Sequence, residues 1–335
     1  MASSSRADAS GVTRKLVLLA IAIVLAGGLY TGGWFYAASW LKERVTEELA
    51  ASGQGARSTS CSNLSVRGFP FRIGVFCDAL GIDDHASGLS ATFGAVRSAA
   101  QVYRPGHAVI ELDGPAQVRV TPDRVLDVDW ELLRASVVAW TDGLDRASVA
   151  YDELKGRLNA PSEGLSLGFA ATHGEKHVRR SGEALDVAAS LDGLSLDIGG
   201  KMLPPLNVAI DLTIADAAGW ISKEGPPPTL PLGTSAELRS LSLDLGEGSR
   251  MTLSGPVSVG EDGYISGVLD LSIEGVTAWR DRISGTFPEA AETARRVAGA
   301  IKGLSGGKDR ATVKLTIREG TVYLGLFPVA EIPPL

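Results

Sequence analysis

The sequence has few of the residues that build metal and redox sites, with two cysteines and four histidines among 335 residues. Such low counts argue against a disulfide scaffold, a zinc module and a haem protein. The formal charge is −7 and no basic patch is present, so nucleic acid is not an expected partner. No cofactor-binding motif stands out. Hydrophobic residues make up 44% of the chain, which excludes a disordered protein and supports at least one large core.

One long hydrophobic run stands near the start of the chain. From Leu16 to Leu41 there are 26 residues without a charge, and a helix of that length spans roughly 39 Å, enough to cross a ~30 Å hydrocarbon layer. Basic residues dominate the tail 1–15, so the positive-inside rule predicts a cytoplasmic N-terminus and an exported remainder. A cleaved signal peptide is the alternative, but its apolar region is usually only ~7–15 residues long.

The residues that follow this predicted transmembrane helix support the same topology. Residues 42–55 are expected to form a juxtamembrane helix and hinge, because apolar residues continue at helical spacing. Aromatic residues crowd the outer end of the span, as in an interfacial belt: Tyr30, Trp34, Tyr36 and Trp40.

The two cysteines, Cys61 and Cys77, flank a turn signal centred on position 69. If the chain reverses there, the thiols face each other across a hairpin, and a disulfide is feasible where the strand register permits it. The closed loop would contribute on the order of 3 kcal/mol, and an oxidising compartment would let the bond persist. The alternative is two buried thiols that never meet.

Residues 56–335 are predicted to be mainly β, because large apolar residues repeatedly take every second position. Glu319-Gly320 and Asp262-Gly263 predict hairpins, and Asp192-Gly193 predicts a tight turn between two segments of opposite phase. Since no crossover helices are evident, we expect a long antiparallel meander.

Three segments depart from this pattern. Residues 287–304 have helical spacing and predict one C-terminal helix, with Pro288 in its first turn. Residues 126–140 fit either a helix or a strand, and we favour a long strand with a bulge near Leu132-Leu133. The proline-rich segment 223–233 is expected to be a stiff connector, either between two lobes or between two halves of one sheet.

Motifs for catalysis and metal binding are weak. Ser166 and Ser305 each lie in a G-x-S-x-G match, but neither has the strand-to-helix setting of a hydrolase nucleophile. His173 and His177 are four residues apart, and their charged neighbours favour a solvated loop over a metal site. We therefore predict no enzymatic activity, no metal site and no cofactor.

The chain also resembles a known group of proteins. Its most specific block lies between the two cysteines and consists of Gly68, Phe69, Pro70, Phe71 and Arg72. With the N-terminal anchor and the C-terminal Leu-Phe-Pro-Val-Ala segment, this block resembles an uncharacterised family of bacterial envelope proteins, a domain of unknown function. More distantly the chain resembles AsmA-type periplasmic proteins, whose curled sheets form an apolar groove implicated in phospholipid traffic. The resemblance implies a lipid-handling fold facing the periplasm from the inner membrane.

A physical argument leads to a related expectation. One helix beyond the anchor is too little to cover a sheet of many strands, so the sheet must fold over itself. If it closes, it forms a sandwich or barrel with a solid core, and if it stays open it leaves an apolar groove for acyl chains. The pattern alone leaves both outcomes open.

The leading hypothesis is a non-catalytic, membrane-anchored periplasmic protein that binds a phospholipid or another acyl compound in an apolar β-groove. The alternative is a scaffold or assembly factor with a filled core and an envelope protein as its partner. Ordinary core is an equal alternative for the residues expected to line the groove, which are Val208, Ile210, Leu212, Val313, Leu315 and Ile317.

Overall fold

The computed structural model describes residues 9–52, 57–85, 87–222, 225, 227 and 231–334. Its three α-helices are α1 (Ala9–Ser52), α2 (Val276–Thr286) and α3 (Ala291–Leu304). Short 3-10 helices occupy Pro161–Glu163, Ala218–Ile221 and Pro288–Ala290. The end of the expected hinge, at 53–55, and most of the expected connector, at 223–233, lie outside the described residues.

The rest of the described chain is dominated by β-strands, as the apolar alternation predicts. In chain order the strands are β1 (Arg57–Ser62), β2 (Ser65–Arg67), β3 (Arg72–Cys77), β4 (Ala79–Asp84), β5 (Leu89–Phe93), β6 (Val96–Gln101), β7 (Arg104–Leu112), β8 (Ala116–Thr121), β9 (Arg124–Asp129), β10 (Leu132–Trp140), β11 (Gly143–Ala160), β12 (Leu165–Ser181), β13 (Ala184–Ile198), β14 (Lys201–Met202), β15 (Leu206–Ile214), β16 (Ser235–Asp244), β17 (Arg250–Val259), β18 (Ile265–Glu274), β19 (Arg310–Arg318), β20 (Thr321–Leu324) and β21 (Phe327–Glu331).

All of these strands belong to one antiparallel sheet. From β11 onward each long strand pairs with the next one along the chain, which confirms the predicted meander. The hairpins at Asp262-Gly263 and Glu319-Gly320 are present. Among the described residues no pairing joins β1 or β2 to the final strands, so the sheet is open rather than closed.

The N-terminal part of the sheet is divided into two leaves. The chain crosses from one leaf to the other between β1 and β2, β3 and β4, β5 and β6, β7 and β8, and β9 and β10. We call β2, β3, β6, β7 and β10 the anchor-side leaf, and β1, β4, β5, β8 and β9 the distal leaf. Both leaves join β11, which pairs with β10 over 143–152 and with β9 over 155–159.

The segment 126–140 corrects one prediction. It forms two strands, β9 and β10, and the interruption lies at Trp130-Glu131 rather than at a bulge near Leu132-Leu133. The Trp130 side chain is only 9% exposed, and its indole N–H donates to the Leu112 carbonyl at 2.7 Å. Burial of this large ring at the junction of the leaves fixes where the strand breaks.

A second correction concerns Asp192-Gly193. These residues form no hairpin, because β13 runs through them from Ala184–Ile198. Gly193 has a φ of +61°, and the pairing of β13 with β15 shifts by one residue between Leu191 and Leu194. The change of apolar phase therefore comes from a bulge inside one strand.

The helices agree with the sequence at two places and add a third element. The N-terminal helix continues without a break to Ser52, and the predicted C-terminal helix is present as α3. Pro288 lies in the 3-10 turn before α3. The additional element is α2, which directly precedes that turn and was not predicted.

The best-buried part of the molecule lies at its C-terminal end. One hydrophobic cluster joins β18, β19 and β20 to the two C-terminal helices, and it includes Ile273, Val276 and Ile301, which are 3%, 1% and 4% exposed. A second cluster contains Leu238, Leu269, Ile317 and Val322, with residues of β15 packed against it. This half of the sheet therefore has a filled core, which α2 and α3 cover.

Candidate functional site

The helix α1 contacts the anchor-side leaf at the turn between β2 and β3. The indole N–H of Trp34 donates to the Arg72 carbonyl at 2.9 Å, and the Tyr30 hydroxyl donates to the Pro70 carbonyl. Trp34 is only 6% exposed, although most of the surrounding helix is exposed. The hairpin tip 68–72 is therefore docked onto the middle of α1.

An aromatic cluster completes this contact. The Trp34 ring meets Phe35 and Phe69 edge to face, with centroids 5.1 and 5.4 Å apart, and Phe35 stacks on Phe69 at 5.6 Å. Gly68 permits the tight tip, since its φ is +125° and an added Cβ would lie 2.7 Å from the Arg72 carbonyl oxygen. The motif between the cysteines thus has a defined role in attaching the sheet to the helix.

The predicted disulfide is present. Cys61 in β1 and Cys77 in β3 are bonded, with their Cα atoms 5.4 Å apart. The contact does not arise across the predicted hairpin, because Cys61 lies opposite Leu80 of β4. Instead, β3 ends at Cys77 just before β4 begins at Ala79, and Ala79 lies opposite Ser62, the neighbour of Cys61. The bond therefore links the two leaves at the end of β3 that lies away from the tip 68–72.

A cavity of about 580 Å³ separates α1 from the anchor-side leaf. Its wall is almost entirely apolar, and Ser98 and Tyr30 are the lining residues that carry a hydroxyl group. The lining comprises Leu29, Tyr30, Gly33, Trp34, Ala37, Trp40 and Leu41 of α1, and Ile73, Gly74, Val75, Ser98, Ala99, Ala100, Val102, Pro105 and Ala108 of the leaf.

This cavity opens onto a continuous apolar row across the sheet. Directly opposed residues in antiparallel strands share a face, so the strand registers identify the row without ambiguity. We call the following nine residues the apolar row: Ile73, Ala100, Ala108, Val137, Ala147, Val178, Val187, Leu212 and Leu238. The row begins in the wall of the cavity and ends in the C-terminal core.

The middle of the apolar row is only half-buried. Val137, Ala147 and Val178 belong to neither hydrophobic cluster, whereas Leu238 at the end of the row is buried. The helices pack at the two ends, with α1 on the anchor side and α3 on β19. The middle of the apolar face thus stays half-buried between two covered ends.

The family of this protein follows from its sequence. A family model described as "Uncharacterized protein conserved in bacteria (DUF2125)" matches residues 34–333. The chain belongs to this family. The match covers the helix–tip contact from Trp34, the apolar row and the C-terminal core of the DUF2125 chain. No curated protein and no solved structure matches the chain, so the likeness to AsmA-type proteins stays a prediction.

The residues predicted to line a groove lie toward the C-terminal end of the apolar face. Val313 and Ile317 are 9% and 6% exposed and belong to the two hydrophobic clusters, with Leu315 packed against both. Ile210 and Leu212 pack against the second cluster, and Leu212 belongs to the apolar row. Val208 is half-buried and lies opposite Leu191 and Leu243.

Sequence reasoning missed the cavity itself. It recognised the aromatic residues of the span and the Gly-Phe-Pro-Phe-Arg block separately, but it did not bring them together. Two aromatic clusters about 35 residues apart, with one on the anchor and one at a hairpin tip, were the available signal.

The opposite face of the same strands is polar. Arg97, Glu111 and Arg134 lie opposite one another on three strands, and Glu111 pairs with Arg134 at 2.6 Å. Farther along, Arg179 donates to Asp186 at 2.7 Å, and this bond with those of Thr213 and Arg239 lowers the pKa of Asp186 to about 2. The sheet therefore has one ion-paired face and one apolar face.

The histidine pair lies on this polar face. His173 and His177 are in β12 and not in a loop, which corrects that expectation. Glu175 lies between them and contacts both rings, and the Asp152 carboxylate raises the pKa of His173. Within the part of the chain that the structure describes, no group of His, Cys, Asp and Glu has the geometry of a metal site.

Proposed function

We propose that this protein is a single-pass membrane protein that shelters acyl chains of membrane lipids on its apolar face, without catalysis. The observation that carries the proposal is the apolar row, which starts in the cavity beside α1 and continues across nine strands. A chain that leaves the bilayer along α1 would meet this face first.

The dimensions support an acyl ligand. Nine strands at a spacing of ~4.8 Å extend the apolar row over about 38 Å. One leaflet of a bilayer is about half of the ~30 Å hydrocarbon core, so the row is longer than an acyl chain needs. The cavity volume of about 580 Å³ also falls within the range of known ligand sites.

The energetics favour a ligand that comes from the bilayer and not from water. Burial of each CH₂ group from water stabilises by about 0.8 kcal/mol, whereas transfer from bilayer to groove exchanges one apolar environment for another. The free energy of this exchange is close to zero, so a lipid could bind and be released readily and would not be held tightly. The α1 helix brings the mouth of the cavity to the membrane, where this exchange takes place.

The topology belongs to the same proposal. Within the described residues, α1 is the one helix long and apolar enough to cross a membrane. The basic tail before it favours a cytoplasmic N-terminus, and the Cys61–Cys77 bond suits an oxidising periplasm around the sheet. We place the anchor in the bacterial inner membrane on these grounds.

Two neighbouring glycines allow a matched test. Gly33 lines the cavity and Gly32 does not, and an added Cβ at either position would meet no atom within 4 Å. Gly33→Phe should fill the cavity without disturbing α1, and Gly32→Phe adds the same ring elsewhere on the helix. The phospholipid that stays with each full-length variant after detergent exchange would be counted by mass spectrometry.

We expect the wild type and Gly32→Phe to retain near-stoichiometric phospholipid and Gly33→Phe to lose most of it. Nonspecific lipid around the helix is common to both variants, so only the difference between them matters. Equal lipid in all three proteins would contradict the proposal. Stable, lipid-free wild-type protein would favour the scaffold alternative.

A further inference from the structure

Two turns at the anchor end of the sheet expose large apolar side chains. In the turn between β2 and β3, Phe69 and Phe71 are 46% and 68% exposed. In the turn between β6 and β7, Val102 and Tyr103 are 37% and 70% exposed. The turns are adjacent, since the Val102 N–H donates to the Phe71 carbonyl at 3.1 Å. They form one surface, which we call the tip patch.

The contacts to α1 fix the depth of the tip patch. Tyr30 and Trp34, which bind the tip, follow the start of the uncharged segment at Leu16 by 14 and 18 residues. At 1.5 Å per residue these positions lie about 21 and 27 Å along the helix axis from Leu16. If a ~30 Å hydrocarbon layer begins at Leu16, the Tyr30 and Trp34 contacts lie about 9 and 3 Å below its outer boundary.

The strands that follow α1 run back along the helix, and this brings the turn between β2 and β3 to the depth of Trp34. The Thr59 N–H donates to the Ser52 side chain at 3.1 Å, which starts β1 beside the far end of α1. From there the first hairpin runs back alongside the helix to Trp34. The docked tip is consequently level with the aromatic belt of the anchor and not with the end of the helix.

The chemistry of the tip patch matches that depth. Aromatic side chains prefer the boundary between hydrocarbon and headgroups, and the exposed Arg72 and Arg104 beside the two turns can meet lipid phosphates. A turn at the opposite end of the sheet is charged and not aromatic. There the turn between β8 and β9 carries Asp123, and Arg124 pairs with Glu163.

We propose that the tip patch inserts into the outer boundary of the membrane that α1 spans, and so forms a second membrane contact. This contact depends on the anchored topology but not on a lipid in the cavity. It would fix the tilt of the anchor-side leaf relative to the membrane, because a single spanning helix leaves that tilt weakly constrained. The cavity between helix and leaf would then face the lipid at a constant angle.

Nitroxide labels provide a direct test. Both native cysteines are bonded to each other, so a single added cysteine can be labelled selectively. Full-length Phe71→Cys, Tyr103→Cys and Asp123→Cys would be labelled in vesicles of phosphatidylethanolamine and phosphatidylglycerol. Collision of each label with oxygen, which partitions into lipid, is compared with collision with a water-soluble nickel chelate.

We expect the oxygen-to-nickel ratio at positions 71 and 103 to exceed that at position 123 several-fold. Each label leaves the other turn intact, so the loss of one apolar side chain does not remove the patch. Ratios at 71 and 103 as low as that at 123 would overturn the proposal. Because the label depth is measured whether or not lipid fills the cavity, failure here leaves the proposed lipid binding standing, and the reverse also holds.

Discussion

The two halves of the sheet have similar strands but different coverage. In the C-terminal half, α2 and α3 pack on the sheet, and Ile273 and Val276 are only 3% and 1% exposed. In the N-terminal half, apolar residues in equivalent alternation, such as Ala147 and Val178, are only half-buried. Alternation therefore identifies the apolar face of a strand, and it does not determine whether that face becomes core or groove.

The largest expected effect falls in the filled half. Ile273→Ala removes a fully packed side chain between β18 and the helices, and it should cost about 4 kcal/mol of unfolding free energy through lost burial and an unfilled cavity. Hydrogen exchange should accelerate in β17–β20 and much less in the anchor-side leaf. Equal acceleration in both halves would show that the sheet is a single cooperative unit.

The disulfide should matter next, and in the opposite half. Replacing both Cys61 and Cys77 by serine opens a loop of 16 residues and should cost about 3 kcal/mol. Exchange should then accelerate in β1–β6, near the junction of the leaves. Reductant should reproduce this change in the wild type and have no effect on the double variant. Faster exchange in the C-terminal core instead would show that the two halves of the sheet are not independent.

Acid should weaken the polar face between the halves. The pKa of Asp186 falls from 3.8 to about 2 in the folded protein, chiefly through the Arg179 hydrogen bond. Because the folded value is the lower one, its stabilisation is complete above about pH 4 and is lost as the pH falls toward 2. The loss should reach about 2 kcal/mol at most.

Asp186→Asn supplies the control for that titration. It removes the ionisable group while it keeps the size of the side chain, so the unfolding midpoint should lose this part of its dependence on pH between about 4 and 2. An unchanged acid dependence in the variant would assign the effect to other carboxylates.

The smallest effect is expected on the apolar row. Val178→Ala truncates a half-buried side chain and should cost about 1 kcal/mol or less, since little burial is lost. Thermal unfolding in detergent would measure it. A cost as large as that of Ile273→Ala would mean that the row is core and not groove.

Much of the fold was predictable because its signals are local. Period-two alternation and turn residues such as Asp262-Gly263 indicate strands and hairpins within a few residues. The disulfide was also predicted from a local turn, but the two cysteines meet through the pairing of β1 with β4 and not across that turn. At Asp192-Gly193 the same turn signal misled, because a bulge changes the apolar phase without reversing the chain.

The missed features depend on residues far apart in sequence. α2 begins beside Gly275, and the Thr277 N–H donates to the carboxylate of Asp309, 32 residues later, at 2.9 Å. The cavity likewise requires Trp34 of the anchor to meet the tip at Arg72. Neither contact produces a pattern within a short stretch of sequence. The residues involved can therefore be identified from the sequence, but their contact cannot.

Photocrosslinking at two adjacent positions of β12 would show whether the half-buried apolar face holds acyl chains. Val178 lies in the apolar row, and His177 lies on the opposite face, bonded to Ser148 at 2.8 Å. With p-benzoylphenylalanine at either position of the full-length protein in its membrane, irradiation should yield phospholipid adducts at 178 many-fold above those at 177. Equal or absent adducts at the two positions would contradict the account.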